Sequence, residues 1–342
     1  LTRPELAVLL AYAKLDLDAE ILASDLPDDP ALEPVLTGYF PPQAARRFPQ
    51  DVEQHRLRRE IISTGLANRV VNLAGPVFVS RMKEMSGRSG ADVARAFVVA
   101  EGAFGLGALK RRIDALDGRL AAEIQTGMYA DIAEILRRLG LWFLTNVPAG
   151  ADLAAAIALY RAGVEELRGA LAGLASPFEA EENETRIARM TAAGAPRDVA
   201  EDVALLPLMS GAPEIAALAR ARSLKVDCVA GAYFALGQLA GLDRLRGLAA
   251  RISSPEHWDR LAIRRLVDDL YAAQRALTAQ ALDGIRGAGR ADGAAAAQEW
   301  ASAHGEKLER ARAFLSALET SGDLTIAKLT LANSQVHALA AN

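Results

Sequence analysis

Clusters of Gly, Pro, Ser and Asn divide this chain into segments rich in Ala, Leu and Arg, each roughly 15 to 30 residues long. Beyond the first third, these clusters lie at 146–150, 176–177, 194–196, 210–213, 253–255 and 287–293. Segments of this length suit helices of roughly three to seven turns joined by short loops, which favours antiparallel neighbours. The intervals follow no fixed period, so the pattern does not support a regular solenoid of the TPR or HEAT type.

Composition points to the same fold class. The chain has 342 residues, of which 51% are hydrophobic, and can bury the core of one large domain or two medium ones. Aromatic residues make up only 5%, and alternating runs of Val, Ile and Thr are scarce. We therefore predict an all-α protein, an irregular multi-helix bundle or array with short loops and essentially no sheet.

Two regions differ in how often proline interrupts them. Residues 1–105 are predicted to form a proline-punctuated helical subdomain, and residues 106–342 a set of longer antiparallel helices. One continuous helical domain is the alternative. The segment 287–297 (GAGRADGAAAA) approaches low complexity and is interpreted as a mobile hinge.

The first helix is predicted over about residues 3–14. Thr2 and Glu5 have the spacing of a capping box, and Pro4 is tolerated in a first helical turn. Its apolar positions recur at three- and four-residue steps and are predicted to face the core. These positions are Leu6, Leu9, Leu10 and Ala13. A second, short helix is predicted near residues 18–24.

Prolines exclude a long helix between residues 26 and 49, because each removes a backbone donor and disfavours helical geometry in the residue before it. They stand at positions 27, 30, 34, 41, 42 and 49. This part is predicted to be a structured loop with short turns. The adjacent Tyr39 and Phe40 are predicted to anchor the loop on the core, and docking of a partner is the alternative.

Residues 51–73 are predicted to form one long helix that ends at Gly75 and Pro76. One side is an apolar stripe that consists of Ile62, Leu66, Val70 and Leu73. A polar ladder with the same four-residue step, beside two arginines, is the candidate site. It consists of Arg58, Arg59, Glu60, Thr64, Asn68 and Asn72. Ser89 with Asp92 then predicts the start of a further helix.

Two runs carry a family resemblance. They are residues 1–29 (LTRPELAVLLAYAKLDLDAEILASDLPDD) and 55–84 (HRLRREIISTGLANRVVNLAGPVFVSRMKE). Both closely resemble the C-terminal helical region of the very large bacterial NAD-specific glutamate dehydrogenases. The resemblance is strongest over residues 1–104 and continues more weakly to the end of the chain.

The resemblance implies that this chain does not contain the catalytic part of the enzyme. In that family, which oxidises glutamate to 2-oxoglutarate and ammonium with NAD, the nucleotide-binding and catalytic parts lie upstream of the matching segment. We therefore expect NAD to belong to the parent enzyme and this chain alone to be inactive. Leu1 in place of an initiator Met fits a segment of a longer polypeptide.

Charge and hydropathy limit the partners. A net charge of -4 argues against a nucleic-acid binder, which needs an excess of Lys and Arg to replace phosphate counterions. Arginine-rich spots such as 56–59 and 110–112 are set among acids and are interpreted as solvated helix faces. No signal peptide or long uncharged apolar run is present, so we expect no membrane contact and a cytoplasmic location.

We find no grouping of residues that predicts a catalytic, cofactor or metal site. The Gly-rich run 287–293 follows a helical segment instead of a strand, so a linker is favoured over a phosphate-binding loop. The histidines, at 55, 257, 304 and 337, are scattered, and we expect His55 to make only a local hydrogen bond near Glu60. The single cysteine, Cys228, is flanked by apolar residues and is interpreted as a small buried hydrophobe.

Two roles are open for the polar ladder. If neighbouring chain covers its amides, they must be hydrogen-bonded, because an unpaired buried polar group costs about 1–3 kcal/mol. The ladder is expected either to fix internal helix packing and cap nearby loops, or to meet the catalytic region that the resemblance places upstream.

Two functions follow from these observations. The first is a C-terminal scaffold that packs on the catalytic region of the same polypeptide, within a parent enzyme expected to be a homo-oligomer. The alternative is a free-standing helical interaction module with no enzymatic role.

Overall fold

The computed structural model describes residues 2–283 and 292–341, and within these ranges the regular elements are helices, with no strand. The predicted all-α class is therefore confirmed. The helices are α1 (Arg3–Leu22), α2 (Glu33–Tyr39), α3 (Pro42–Arg47), α4 (Pro49–Glu53), α5 (Arg58–Ala74), α6 (Phe78–Ser86), α7 (Gly90–Phe104), α8 (Leu106–Asp114), α9 (Ala122–Asn146), α10 (Leu153–Ala170), α11 (Pro177–Ala192), α12 (Arg197–Ala204), α13 (Leu206–Met209), α14 (Ala212–Arg222), α15 (Val226–Leu239), α16 (Leu242–Ala249), α17 (His257–Leu282), α18 (Gly293–Ala303), α19 (Gly305–Thr320) and α20 (Ile326–Ala340). Short 3₁₀ turns occupy Leu26–Asp28, Pro30–Leu32 and Leu171–Gly173.

The predicted breaks from 146–150 to 253–255 each coincide with a helix boundary. The predicted hinge at 287–297 falls partly outside the described residues, which omit 284–291. Its second half is not a hinge, because α18 begins at Gly293. The Asp292 side chain accepts hydrogen bonds from the N–H groups of Ala294 and Ala295, at 2.9 and 3.1 Å, and so caps that helix.

The first helix is longer than predicted. Its capping box is confirmed, with Thr2 N donating to Glu5 Oε2 at 2.7 Å and Glu5 N donating to Thr2 Oγ1 at 3.4 Å. No second helix starts at residue 18, because α1 continues to Leu22 and buries Leu17 and Ile21. No Gly or Pro interrupts residues 5–22, so nothing local ends the helix earlier.

The single helix predicted over 51–73 is two helices, since α4 ends at Glu53 and α5 begins at Arg58. Between them His55 Nδ1 accepts a hydrogen bond from Leu57 N at 3.2 Å, which replaces the expected contact near Glu60. The predicted end is confirmed, because Gly75 closes α5 with a φ of 90° that other residues rarely adopt. The apolar stripe of α5 is also confirmed as buried.

The proline-rich segment contains only short helices and turns, as predicted. The anchoring role predicted for Tyr39 is wrong, because its side chain is 68% exposed. Phe40 instead packs edge-on against the ring of His55, with centroids 5.3 Å apart. Neighbouring residues at a helix end point in different directions, so both rings do not face the core together.

The chain forms two compact units. The first comprises Leu1–Ala162 and Arg189–Ser210. Its centre is the pair α7 and α9, against which α5, α6 and α8 pack. Phe97 and Phe143 are fully buried there, and Phe78 contacts Phe97 edge-on at 6.4 Å.

The second unit comprises Gly163–Ala188 and Gly211–Asn342. Helix α15 packs on α18 and α17, and α17 packs on α20. Their apolar faces, with those of α16 and α19, form one core that includes Leu270, Leu277 and Trp300. The boundary between subdomains 1–105 and 106–342 stays a prediction.

Candidate interaction surface

The six residues of the predicted polar cluster all lie on α5 and are not enclosed in a core. Glu60, Thr64 and Asn72 are exposed, whereas Arg58, Arg59 and Asn68 are partly buried. Two residues of the ladder, Thr64 and Asn72, lie along the edge where α5 packs against α1.

Polar side chains join α1 to α5 along this edge. Asp18 Oδ1 accepts hydrogen bonds from Ser63 Oγ at 2.6 Å and Thr64 Oγ1 at 3.1 Å. One turn earlier on α1, Lys14 Nζ donates to Asn72 Oδ1 at 3.1 Å. We call these five residues the polar seam. The sequence pattern indicated Thr64 and Asn72 but missed Ser63, which is fully buried and lies outside the four-residue step of the ladder.

Arg59 closes the end of α1. Its Nη2 donates to the carbonyl oxygens of Leu22 and Ser24, both at 2.8 Å, and its Nη1 pairs with Asp28. The last carbonyls of a helix lack intrahelical donors and carry partial negative charge, so a guanidinium is well suited to this position. Arg59 therefore fixes α1 and the following 3₁₀ turn to α5.

Glu20 ties the second half of α1 to α6 and α7. It pairs with Lys83 and accepts a hydrogen bond from Gly90 N at 2.5 Å, at the N-terminus of α7. Burial opposes ionisation of Glu20, but Lys83 and the Gly90 N–H outweigh it, and the pKa of Glu20 is lowered. Arg95 on α7 binds Asp25, just beyond α1, at 2.7 Å. Helix α1 is thus held from residue 14 onward.

The opposite side of α1 is apolar and uncovered. Val8, Leu9, Tyr12 and Leu15 are 54%, 52%, 63% and 61% exposed. Because 3.6 residues make one turn, these positions share one side of the helix, away from Leu17 and Ile21. We call these four residues the outer face of α1.

The outer face corrects part of the predicted orientation of this helix, because Leu9 belongs to it, whereas Leu10 and Ala13 are partly buried as predicted. Leu6 and Leu9, expected on the core, are 45% and 52% exposed, and every residue from Thr2 to Leu9 is exposed. The sequence held a signal for the outer face, since Val8, Tyr12 and Leu15 form a second apolar stripe with helical spacing. Contiguous exposed apolar surface, unlike a single exposed Leu, marks an interaction site.

Among residues 2–283 and 292–341, no three His, Cys, Asp or Glu side chains are placed to hold a metal ion. His304 Nδ1 contacts Trp300 O at 2.9 Å, and the ring of His257 packs on Trp258. Cys228 is buried, and burial, followed by the charges of Asp227 and Asp292, raises the pKa of its thiol.

The second unit contains a cleft of about 1030 Å³. Leucine side chains of α16 and α19 line much of it, together with Arg244 and Arg251. Both arginines face carboxylates, Arg244 at 3.8 Å from Glu319 and Arg251 at 2.6 Å from Glu182. Both arginines of this cleft are therefore paired within the unit.

Across the described ranges, no single helix is long and apolar enough to cross a membrane. The stretches Arg197–Ala204 and Leu206–Arg222 reach that length and composition only together, across a bend of 40°. Val203 and Ile215, one from each stretch, are fully buried in the protein.

Replacing Arg59 with Met is expected to lower the free energy of unfolding by about 1–2 kcal/mol, because the carbonyls of Leu22 and Ser24 lose their donor. Urea unfolding of the purified chain measures this loss. Arg56→Met is the matched control, since Arg56 is exposed three residues away and its loss should change stability by less than about 0.5 kcal/mol. Equal effects of the two substitutions would show that Arg59 does not fix α1.

The sequence of the chain is similar to those of known proteins. The family described as "Glutamate dehydrogenase, C-terminal" matches residues 1–338. The chain is 33% identical over 315 residues to the NAD-specific glutamate dehydrogenase of Halomonas elongata, covering 92% of this chain and 19% of that protein. The enzyme of the same name from Pseudomonas aeruginosa is 33% identical over 347 residues, covering 99% and 21%. That of Mycobacterium tuberculosis is 30% identical over 336 residues, covering 98% and 20%. The chain thus spans about a fifth of the length of these relatives.

Proposed function

The chain belongs to the glutamate dehydrogenase C-terminal family, and on this premise we propose that it is the helical scaffold domain of an NAD-dependent glutamate dehydrogenase. The domain packs on the catalytic region of the same polypeptide. The parent converts L-glutamate, NAD and water to 2-oxoglutarate, ammonium and NADH. Its catalytic and NAD-binding residues lie upstream, and this chain alone is inactive.

One observation carries the proposal. Arg59, Thr64 and Asn72 of α5 contact α1 and the turn after it and hold that helix in place. This use supports a structural role for three of the six residues of the predicted cluster, Arg59, Thr64 and Asn72, over direct contact with the catalytic region. A fixed helix with an apolar outer face is what a scaffold presents to a neighbouring domain.

The rival function is a free-standing interaction module. It also accounts for an exposed apolar helix face. The scaffold is favoured because the curated relatives are about five times as long as the matched region. The homo-oligomeric state and cytoplasmic location of the parent stay predictions.

Activity measurements on three samples test the proposal. They are the purified chain, the full-length polypeptide and the full-length polypeptide lacking this chain. We expect glutamate-dependent NADH formation from the full-length polypeptide and none from the chain. Removing the chain should lower activity at least roughly tenfold, which corresponds to about 1.4 kcal/mol of activation free energy. Adding the chain back in trans should restore part of it.

Two results would contradict the proposal. Glutamate-dependent NADH formation by the chain alone would show that it carries catalytic residues. Full activity and unchanged thermal stability of the polypeptide without the chain would favour the interaction module. The second result is informative only with intact protein, so circular dichroism of the shortened polypeptide accompanies the assay.

A further inference from the structure

Helix α1 is apolar on two sides, and the protein covers only one of them. Leu17 and Ile21 on the inner side are 1% and 0% exposed, whereas Tyr12 and Leu15 on the outer face are 63% and 61% exposed. A surface helix of a globular protein ordinarily has one apolar stripe, opposite a polar side. The second stripe of α1 is therefore exposed, and no residue in the described ranges 2–283 and 292–341 covers it.

The helix that carries the outer face is held in place from residue 14 onward. The capping box of Thr2 and Glu5 closes its first turn by hydrogen bonds within the helix, and Arg59 fixes its end. Between these points Lys14 and Asp18 bind the side chains of α5. A helix held in this way is already ordered before a partner binds. Such a preorganised surface loses less conformational entropy on binding.

We propose that the outer face of α1 is the docking surface for the polypeptide that precedes the matched region in the relatives. This inference rests on the proposed function. In those relatives about four-fifths of the length lies outside the match, and the family description places the match at the C-terminal end.

Direct linkage favours this occupant over a second copy of the chain. A covalently joined segment is present at an effective concentration that reaches the millimolar range for short connections. The spacing of Val8, Tyr12 and Leu15 suits insertion of the helix into an apolar groove, with anchors one and two turns apart. The groove must also offer a hydrogen-bond partner or water to the Tyr12 hydroxyl.

Hydroxyl-radical footprinting of native side chains tests the docking surface without disturbing the fold. Oxidation of Tyr12 is measured by peptide mass spectrometry in the isolated chain and in the full-length polypeptide, relative to Tyr39. Tyr39 is a matched control because it is also a tyrosine of the first unit and is 68% exposed. We expect the ratio of Tyr12 to Tyr39 oxidation to fall several-fold in the full-length polypeptide.

Two footprinting results would overturn the inference. An unchanged ratio would show that the preceding polypeptide does not cover the outer face. Protection of Tyr12 already in the isolated chain, lost on dilution together with a dimer seen by light scattering, would assign the face to a second copy. Neither result touches the activity assay of the proposed function, so the two proposals can fail separately.

A substitution experiment supplies a second readout. Leu9→Asp with Tyr12→Asp should leave the melting temperature of the isolated chain unchanged, because both side chains are more than half exposed. In the full-length polypeptide the same pair should lower the melting temperature, and Tyr39→Asp should not. An unchanged melting temperature of the full-length double variant would contradict docking at this face.

Discussion

Replacing Gly293 with Ala is expected to lower the free energy of unfolding by about 3 kcal/mol, at the upper end of the usual range for overpacking. A Cβ at this position would clash with the carbonyl oxygen of Cys228 and lie 2.9 Å from Ala232 N. These are backbone atoms of α15, which no side-chain rotation can move. Helix α18 packs so closely on α15 that one methyl group forces the helices apart.

Gly305→Ala is the matched control, because Gly305 is likewise the first residue of a helix, α19, and a Cβ there meets nothing within 4 Å. Its unfolding free energy should stay within about 0.5 kcal/mol of the parent chain. Denaturant unfolding of the two variants, followed by circular dichroism, measures the difference. Similar stability of the two variants would mean that α15 and α18 are not in close contact at Gly293.

Gly293 also shows where the sequence was misleading. Its Gly- and Ala-rich surroundings have the composition of a hinge, yet the residue starts a helix and permits a close backbone approach. The need for glycine here comes from α15, more than 60 residues earlier in the chain. Local composition does not distinguish a glycine that makes the backbone flexible from a glycine that allows two helices to pack closely.

The helices themselves were predictable because their signals are local. Gly75, the capping box at Thr2 and the later Gly and Pro clusters mark boundaries that the structure retains. The family resemblance carried by residues 1–29 and 55–84 is likewise confirmed, and the match reaches nearly the whole chain. The errors concern helix lengths, since α1 continues past residue 14 to Leu22 and two helices, α4 and α5, replace the single one predicted over 51–73.

The candidate surface was predictable in part. Periodicity on α5 picked out Thr64 and Asn72, but their partners on α1 lie 46 and 58 residues away and share no sequence signal with them. The same periodicity argument identified the apolar residues of α1 and assigned Leu9 to the wrong side. A helix with apolar residues on two sides cannot be oriented from its own sequence, because either stripe suits the core.

The sequence did not predict the buried charge network of the second unit. The side chain of Arg246 is only 12% exposed, donates to Gln274 Oε1 and lies 4.7 Å over the ring of Tyr271. Glu179 is 3.6 Å from the guanidinium. Asp243 is 5% exposed, and its Oδ1 has no hydrogen-bond partner among the described residues. One cation thus offsets two buried carboxylates.

Arg246→Met is accordingly expected to lower the free energy of unfolding by about 3–5 kcal/mol, the usual cost of leaving a buried charge without its partner. Arg244→Met is the matched control on the same helix. Arg244 is 60% exposed and 3.8 Å from Glu319, so its loss should cost less than about 1 kcal/mol. Urea unfolding at neutral pH compares the two variants, and equal losses would show that Arg246 does not offset buried charge.

The pH dependence of the stability loss in Arg246→Met tests whether Glu179 is the carboxylate that Arg246 stabilises. Burial, reinforced by Asp243 and opposed by Arg246 and Ser176, raises the pKa of Glu179 above its ordinary value of 4.5. The lower end of the affected pH range is the ordinary pKa of 4.5, which applies to the unfolded chain, and the upper end is the raised pKa of Glu179 in the folded protein. Within this range the folded protein binds more protons than the unfolded chain, so the free energy of unfolding falls as pH rises. Removing Arg246 raises this pKa further and widens the range. The defect of Arg246→Met should therefore shrink in acid, and Glu179→Gln should recover part of it at neutral pH. A defect that is independent of pH, and unrelieved by Glu179→Gln, would assign the role of Arg246 to packing on Tyr271 and Gln274.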